Sequence, residues 1–175
     1  MGKKITLLFV CLGLTLSLNA QESNDDYLEK VKTLDSTLKT LYGVISGEKG
    51  EERNWELFRF LFHPGAKLIP TGKSKEGNVG TRFMSPDDYI TNSSKWFVDN
   101  GFFEKEIHRE VDTFGNITQV FSTYASFKSE SDKEPFMRGI NSIQLLNDGE
   151  RWWVVNIYWT SENEENPIPA AYLPK

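Results

Sequence analysis

Chemistry in a protein requires groups that can exchange a proton, hold a metal or stabilise a developing charge, and this chain offers few of them at telling spacings. Its 175 residues include two histidines, His63 and His108, and one cysteine, Cys11. His108-Arg109-Glu110 is a lone His-x-Glu, and without a His-x-x-x-His or clustered Asp/Glu pattern beside it no metal site is supported, so neither a metal nor a cofactor is expected. His108 stands between Glu106 and Glu110 and reads as a surface residue. His63 falls at the expected end of a helix, where its charged form would interact well with the helix dipole. Asp88 sits in an expected N-terminal cap. His63 and Asp88 are thus weak catalytic candidates, each with a structural role beside the chemical one. The remaining groups of interest, Arg109, Tyr124 and Asn141, are polar side chains in strands that also carry aromatic and β-branched residues.

Composition narrows the field further. With 12 Phe and 5 Trp the chain is too aromatic to be disordered, and a net charge of −5 without a basic cluster gives no electrostatic footing for nucleic acid. Lys3 and Lys4 precede an apolar run from Ile5 to Leu18, and Asn19-Ala20-Gln21 lead into polar sequence, so residues 1–20 read as a secretory signal peptide cleaved after Ala20. The run is too short for a permanent transmembrane helix. Cys11 lies inside it between Val10 and Leu12 and does not suit lipid modification. The mature chain, 21–175, would lack cysteine and carry no membrane span, in a periplasmic or secreted setting. It would keep 18 Lys and Arg against 25 Asp and Glu, a net charge of −7.

The elements that must position these residues follow from periodicity. Tyr27, Val31, Leu34, Leu38, Leu41 and Ile45 alternate at three and four, predicting one helix of about five turns with Ser23 and Asp26 as its capping box and Gly47 as its stop. A second helix should begin near Asn54, bury Trp55, Phe58, Leu61 and Phe62, and end at Pro64-Gly65. Ala66 to Thr71 reads as a short strand, and Gly72 to Gly80 as a loop. Ser85-Pro86-Asp87-Asp88 is a strong helix start, for a helix carrying Trp96 and stopping at Asn100-Gly101. Four strands follow, Phe102 to Phe114, Ile117 to Lys128, Phe136 to Leu146 and Arg151 to Thr160, joined by short turns. The order predicts an α+β domain with three helices before an antiparallel meander.

This order resembles the nuclear transport factor 2-like superfamily. Ile45-Ser46-Gly47 closes the first helix, Leu61 to Leu68 leads into the first strand, and the Arg138 to Leu145 strand, Arg151-Trp152-Trp153 and Asn166-Pro167-Ile168-Pro169 are similar to an exported bacterial branch. The resemblance implies a cone-shaped half-barrel, three N-terminal helices packed on a curved, mainly antiparallel sheet around an apolar pocket, often as a homodimer through the outer sheet face. Ketosteroid isomerases, scytalone dehydratase and polyketide cyclases share that fold. The position of the isomerase base falls at about Pro70, which accepts no proton, and the oxyanion-hole tyrosine falls at Thr40, with Tyr42 two positions away. Isomerase chemistry of that type is not supported.

Strand alternation supplies a face assignment. A two-residue Gly115-Asn116 turn pairs Arg109 with Ser122 and puts Ile107, Arg109, Val111, Val120, Ser122 and Tyr124 on one face. Glu104, Glu106, His108, Glu110 and Asp112 share the other, which should be wet. A three-residue Asn147-Asp148-Gly149 turn puts Trp153, Val155, Ile157 and Trp159 inside with Asn141. The expected ligand-binding residues are therefore Tyr42, Trp55, Trp96, Arg109, Tyr124, Asn141 and Trp159. The plainer alternative is a core polar network, with Arg109 paired to a carboxylate such as Asp88. Three functions stay open. The first is an exported domain binding a small apolar or amphipathic molecule, with no chemical step assigned. The others are a cofactor-independent lyase, isomerase or hydrolase, and a protein-interaction module that would show an apolar patch on the outer sheet face.

Overall fold

The computed structural model describes residues 25–175. The segment read as a signal peptide, and Ser23 of the expected capping box, lie outside them. Among the described residues no helix is long and apolar enough to cross a membrane.

The first helical stripe is split. A short helix α1 covers residues 25–30, the chain turns over 31–33, and α2 runs Leu34–Ile45. Thr33 is the N-cap of α2 and makes a capping box with Ser36, so a cap competes successfully with helix continuation at that point. The break also frees the Val31 carbonyl to accept the Trp152 N–H at 2.8 Å. Val31 itself is fully buried, so the apolar stripe survives the interruption. At the other end, the Arg53 side chain donates to the carbonyls of Ile45 at 3.0 Å and Gly47 at 2.6 Å, satisfying acceptors that the helix and its exit leave open.

Helix α3 spans Trp55–Leu61 behind its cap Asn54, and β1 runs Phe62–Lys73 directly after it. Strand β1 therefore starts four residues earlier than expected, and Phe62, Pro64 and Gly65 belong to it. Pro64 lacks an N–H but sits where β1 pairing is interrupted between Phe62 and Lys67. Part of the expected loop folds back as β2, Val79–Thr81. Helix α4, Pro86–Asn100, begins at Ser85 with both halves of a capping box to Asp88, as the sequence predicts. The meander follows as β3 (Phe103–Phe114), β4 (Ile117–Phe127), β5 (Met137–Asn147) and β6 (Trp152–Ser161).

The six strands form one sheet in the order β2-β1-β6-β5-β4-β3, antiparallel throughout except where β1 runs parallel to β6. Helices α2, α3 and α4 pack on one face of it. Leu38, Phe58, Leu61, Val120, Ile143 and Val154 are at most 1% exposed and form the centre of the core between them. Truncating Leu38, Phe58, Leu61 or Ile143 to alanine costs about 2–5 kcal/mol, since close packing leaves a cavity that relaxes only in part.

Candidate functional site

Two β-bulges decide which side chains face the helices. Phe114 opposes Ile117 and Arg109 opposes Ser122, in the register that the Gly115-Asn116 turn predicts. Beyond Arg109 the alternation slips: His108 opposes Thr123 while Glu106 opposes Tyr124, so Ile107 is an extra residue in β3. The slip turns Glu104 and Glu106 to the inner face, where Ser122, Tyr124 and Ser126 also point. The expectation that both glutamates stand on the wet face is overturned. Tyr124 faces inward as expected, and Lys105 now lies over the Phe127 ring. In β6, Asn156 opposes Gln144 while Val154 opposes Leu145, which makes Val155 a second bulge. Ile157 and Trp159 face inward with Ile143 and Asn141, but Trp153 and Val155 do not. Asn147 pairs with Trp152, so the turn holds four residues, and Trp153 instead packs on Arg151 and donates to Asp148.

The inner face and the helices line a half-open cavity of about 330 Å³. Helix α2 contributes Tyr42, and α4 contributes Tyr89, Ser93, Trp96 and Phe97. The sheet contributes Glu104, Tyr124, Asn141 and Trp159. Of the seven residues expected to line a pocket, Tyr42, Trp96, Tyr124, Asn141 and Trp159 do so. Trp55 does not; it stands behind the wall, against Phe58 and Phe97. Arg109 does not either. It donates to Glu106 at 2.9 Å and to Asp35 on α2 at 2.7 Å, so its partners are these two carboxylates and not Asp88.

The candidate bases lie elsewhere. His63 is an exposed β1 residue, its Nδ1 accepting the Gly65 N–H at 3.2 Å, because the helix ends two residues before it. Asp88 is exposed and accepts from the Ser85 backbone N–H at 2.9 Å and the Ser85 hydroxyl at 2.7 Å, which hold its carboxyl below the usual carboxylate range.

The ionisable acid inside the cavity is Glu104, which the alternation pattern assigns to water. Its carboxylate accepts from Asn141 Nδ2 and from Ser126 Oγ, both at a long 3.3 Å. Burial is the main influence and pushes its pKa up to about 7, against the two weak hydrogen bonds that pull it down. As a residue Glu104 is half-buried, and it lines the cavity. Burial, helped by the nearby Glu104 charge, also pushes the Tyr42 and Tyr89 hydroxyls well above their usual range, and Tyr124 up to about 12. All three tyrosines are neutral at ordinary pH.

A polar chain leads outward from this acid. Asn141 Nδ2 also donates to Tyr42 Oη at 3.2 Å, Tyr42 Oη and Ser122 Oγ are 2.6 Å apart, and Ser122 Oγ donates to Glu106 at 2.5 Å. Because Ser122 gives its proton to Glu106, the Tyr42 hydroxyl must give its own to Ser122. Both hydroxyl protons are committed, and Glu106 is neutralised by Arg109. The network fixes Asn141 and Tyr42 in the cavity wall and leaves Glu104 as the group without a cation. Among the described residues no Lys, Arg or His lines the cavity, and no group of three or more His, Cys, Asp or Glu is placed to hold a metal.

No protein-family model and no curated protein sequence matches the chain. Solved structures do. A nuclear transport factor 2-like protein of unknown function from Silicibacter pomeroyi is 15% identical with TM-score 0.51, over 74% of this chain and 92% of that one. A protein of unknown function with a cystatin-like fold from Nostoc punctiforme is 7% identical with TM-score 0.55, over 75% and 90%. A protein provisionally described as a ketosteroid isomerase from Parabacteroides distasonis is 9% identical with TM-score 0.50, over 77% and 92%. The chain has the nuclear transport factor 2-like fold. Within that fold, Pro70 of β1 opposes Trp159 of β6 and offers no proton acceptor on its side chain, so the base position that the resemblance implies is unfilled. The acid of this nuclear transport factor 2-like cavity comes from β3 instead.

Proposed function

We propose that the domain binds a small, largely apolar molecule with one polar end, in the cavity between α4 and the sheet, outside the cytoplasm and after loss of residues 1–20. One observation carries this reading: an aromatic cavity of about 330 Å³ whose polar groups converge on Glu104 and Asn141. A core designed only for packing has no reason to hold a carboxyl among aromatic rings, since desolvating it is costly. Native mass spectrometry of the full protein purified from its own envelope fraction tests the reading. The expected result is a retained small molecule that is lost in Ser93→Trp, where an indole fills the cavity from α4. A chain that is empty in both forms overturns it. The same spectrum reads the N-terminus, expected at Gln21.

A second reading rests on Glu104 as well. A carboxyl poised near neutrality in an aromatic-lined cavity suits a cofactor-independent lyase, isomerase or hydrolase, with Glu104 in the role that His63 and Asp88 are too exposed to fill. Self-association is a further part of the proposal. Phe114, Ile117 and Val155 are 84%, 63% and 37% exposed and line one hollow at the β3–β4 turn and the β6 bulge, which supports a homodimer through that region. Sedimentation velocity of the native protein and of Ile117→Lys checks it: the dimer is expected to give way to monomer in the variant.

A further inference from the structure

A carboxyl placed among aromatic rings, with no basic residue beside it, is an electrostatic half-site. Among the described residues, Glu104 has two long hydrogen bonds from neutral donors and no cationic partner. Every charged partner that the network offers is spent on Glu106, which holds the Arg109 guanidinium. The walls around Glu104 are the rings of Tyr42, Tyr89, Trp96, Tyr124 and Trp159. Aromatic faces attract cations through their quadrupole, and an ammonium group beside both rings and a carboxylate gains from each at once. A neutral apolar ligand leaves the carboxyl uncompensated, and an anionic one meets a repelling charge.

From this geometry we infer that the ligand of the cavity is an apolar organic cation, an amine or quaternary ammonium whose charge sits against Glu104 and whose hydrocarbon part fills the aromatic walls. The inference rests on the cavity being a small-molecule site. Binding a cation favours the ionised carboxylate, so occupancy releases the proton that the empty cavity holds on Glu104 around neutrality. Affinity therefore rises with pH through about 7. The other titratable groups that face Glu104 are Tyr42 from α2, Tyr89 from α4 and Tyr124 from β4. All are pushed upward and stay neutral over that range. Glu106, next along the inner face of β3, is paired with Arg109. The facing groups of β5 and β6, Asn141 and Trp159, do not titrate.

The test is a titration of the full chain, read by tryptophan fluorescence or calorimetry, with three probes that share a benzyl group. These are benzyltrimethylammonium, its uncharged carbon isostere neopentylbenzene, and the anion phenylacetate. A permanently charged probe confines any pH effect to the protein. The cation is expected to bind roughly tenfold or more tighter than the isostere at about pH 8.5, with the ratio shrinking severalfold at about pH 5.5. Glu104→Gln should collapse the ratio and remove its pH dependence, while Ser93→Trp abolishes binding of all probes. Equal affinity for cation and isostere, or preference for the anion, overturns the cation inference and leaves the small-molecule reading standing. Failure of all three probes to bind at both pH values overturns both.

Discussion

At the scale of single residues, Glu104 connects stability, pH and ligand choice. Its folded pKa of about 7 lies above the ordinary 4.5, so the folded chain holds the proton more tightly than the unfolded chain does. Below the lower value both states are protonated and the residue costs nothing. As pH rises from there towards 7 the unfolded chain ionises first, and stability falls; above 7 the full cost of a buried charge is present. Glu104→Gln carries no charge at any pH. Urea unfolding should therefore find the variant gaining on the native chain by on the order of 2 kcal/mol at about pH 8, with little difference at about pH 4.5. A gap that is flat with pH would show that Glu104 is as well solvated as a surface glutamate. Tyr42 is a companion case: its hydroxyl joins Asn141 to Ser122, and Tyr42→Phe leaves both short of a partner, costing about 1–2 kcal/mol in the same assay.

Elements place such residues through register, and register here is set by one extra residue in each of two strands. The Ile107 bulge puts two carboxylates on the inner face of β3, and the Val155 bulge turns Trp153 outward while leaving Trp159 in the cavity wall. Where the sheet is regular, close approach does the positioning. Gly139 of β5 opposes Tyr124 of β4, and the Tyr124 hydroxyl lies over it. A Cβ at position 139 would stand 2.4 Å from the Thr160 carbonyl oxygen and 2.5 Å from that hydroxyl. The backbone oxygen cannot move away without breaking the β5–β6 ladder. Gly139→Ala is expected to lower stability by about 2–3 kcal/mol and to displace the Tyr124 ring, seen as a changed near-ultraviolet circular dichroism spectrum. At the N-terminus of α4, Ser85 and Asp88 cap each other, and thermal unfolding of Ser85→Ala should report a loss of about 1 kcal/mol.

For the molecule as a whole, the two faces of the sheet have different covers. The helices close the inner face over the cavity, and the C-terminal tail crosses the outer one. Thr123, fully buried, donates to the Tyr172 carbonyl at 2.7 Å, and the Tyr172 ring meets Phe121 edge-on at 5.0 Å. Arg138 of β5 pairs with Glu162 at 2.5 Å where the tail leaves β6. The tail thus protects the outer surface of the strands that carry Tyr124 and Asn141 inward. Tyr172→Ala removes the aromatic contact and widens the hollow that already lies beneath the tail, so an equilibrium unfolding loss of about 1–2 kcal/mol is expected, together with faster amide exchange in β4. Unchanged exchange in β4 would mean that the tail merely lies on the sheet.

The sequence by itself determined the α+β class, the order of elements after Asn54 apart from β2, the capped start of α4, the β3–β4 turn and the aromatic stock of the cavity. Those features depend on periodicity, caps and turn residues, which act over a few neighbouring positions. The break of the first helix, the two bulges and the inward turn of Glu104 were decided by tertiary structure. Val31 stops being helical where its carbonyl is claimed by Trp152, more than a hundred residues later. An inserted residue costs little local energy in a strand, so Ile107 and Val155 carry no sign of the bulges they form. Yet a bulge reverses every side chain beyond it, and the one at Ile107 turns Glu104, which alternation assigns to water, into the cavity.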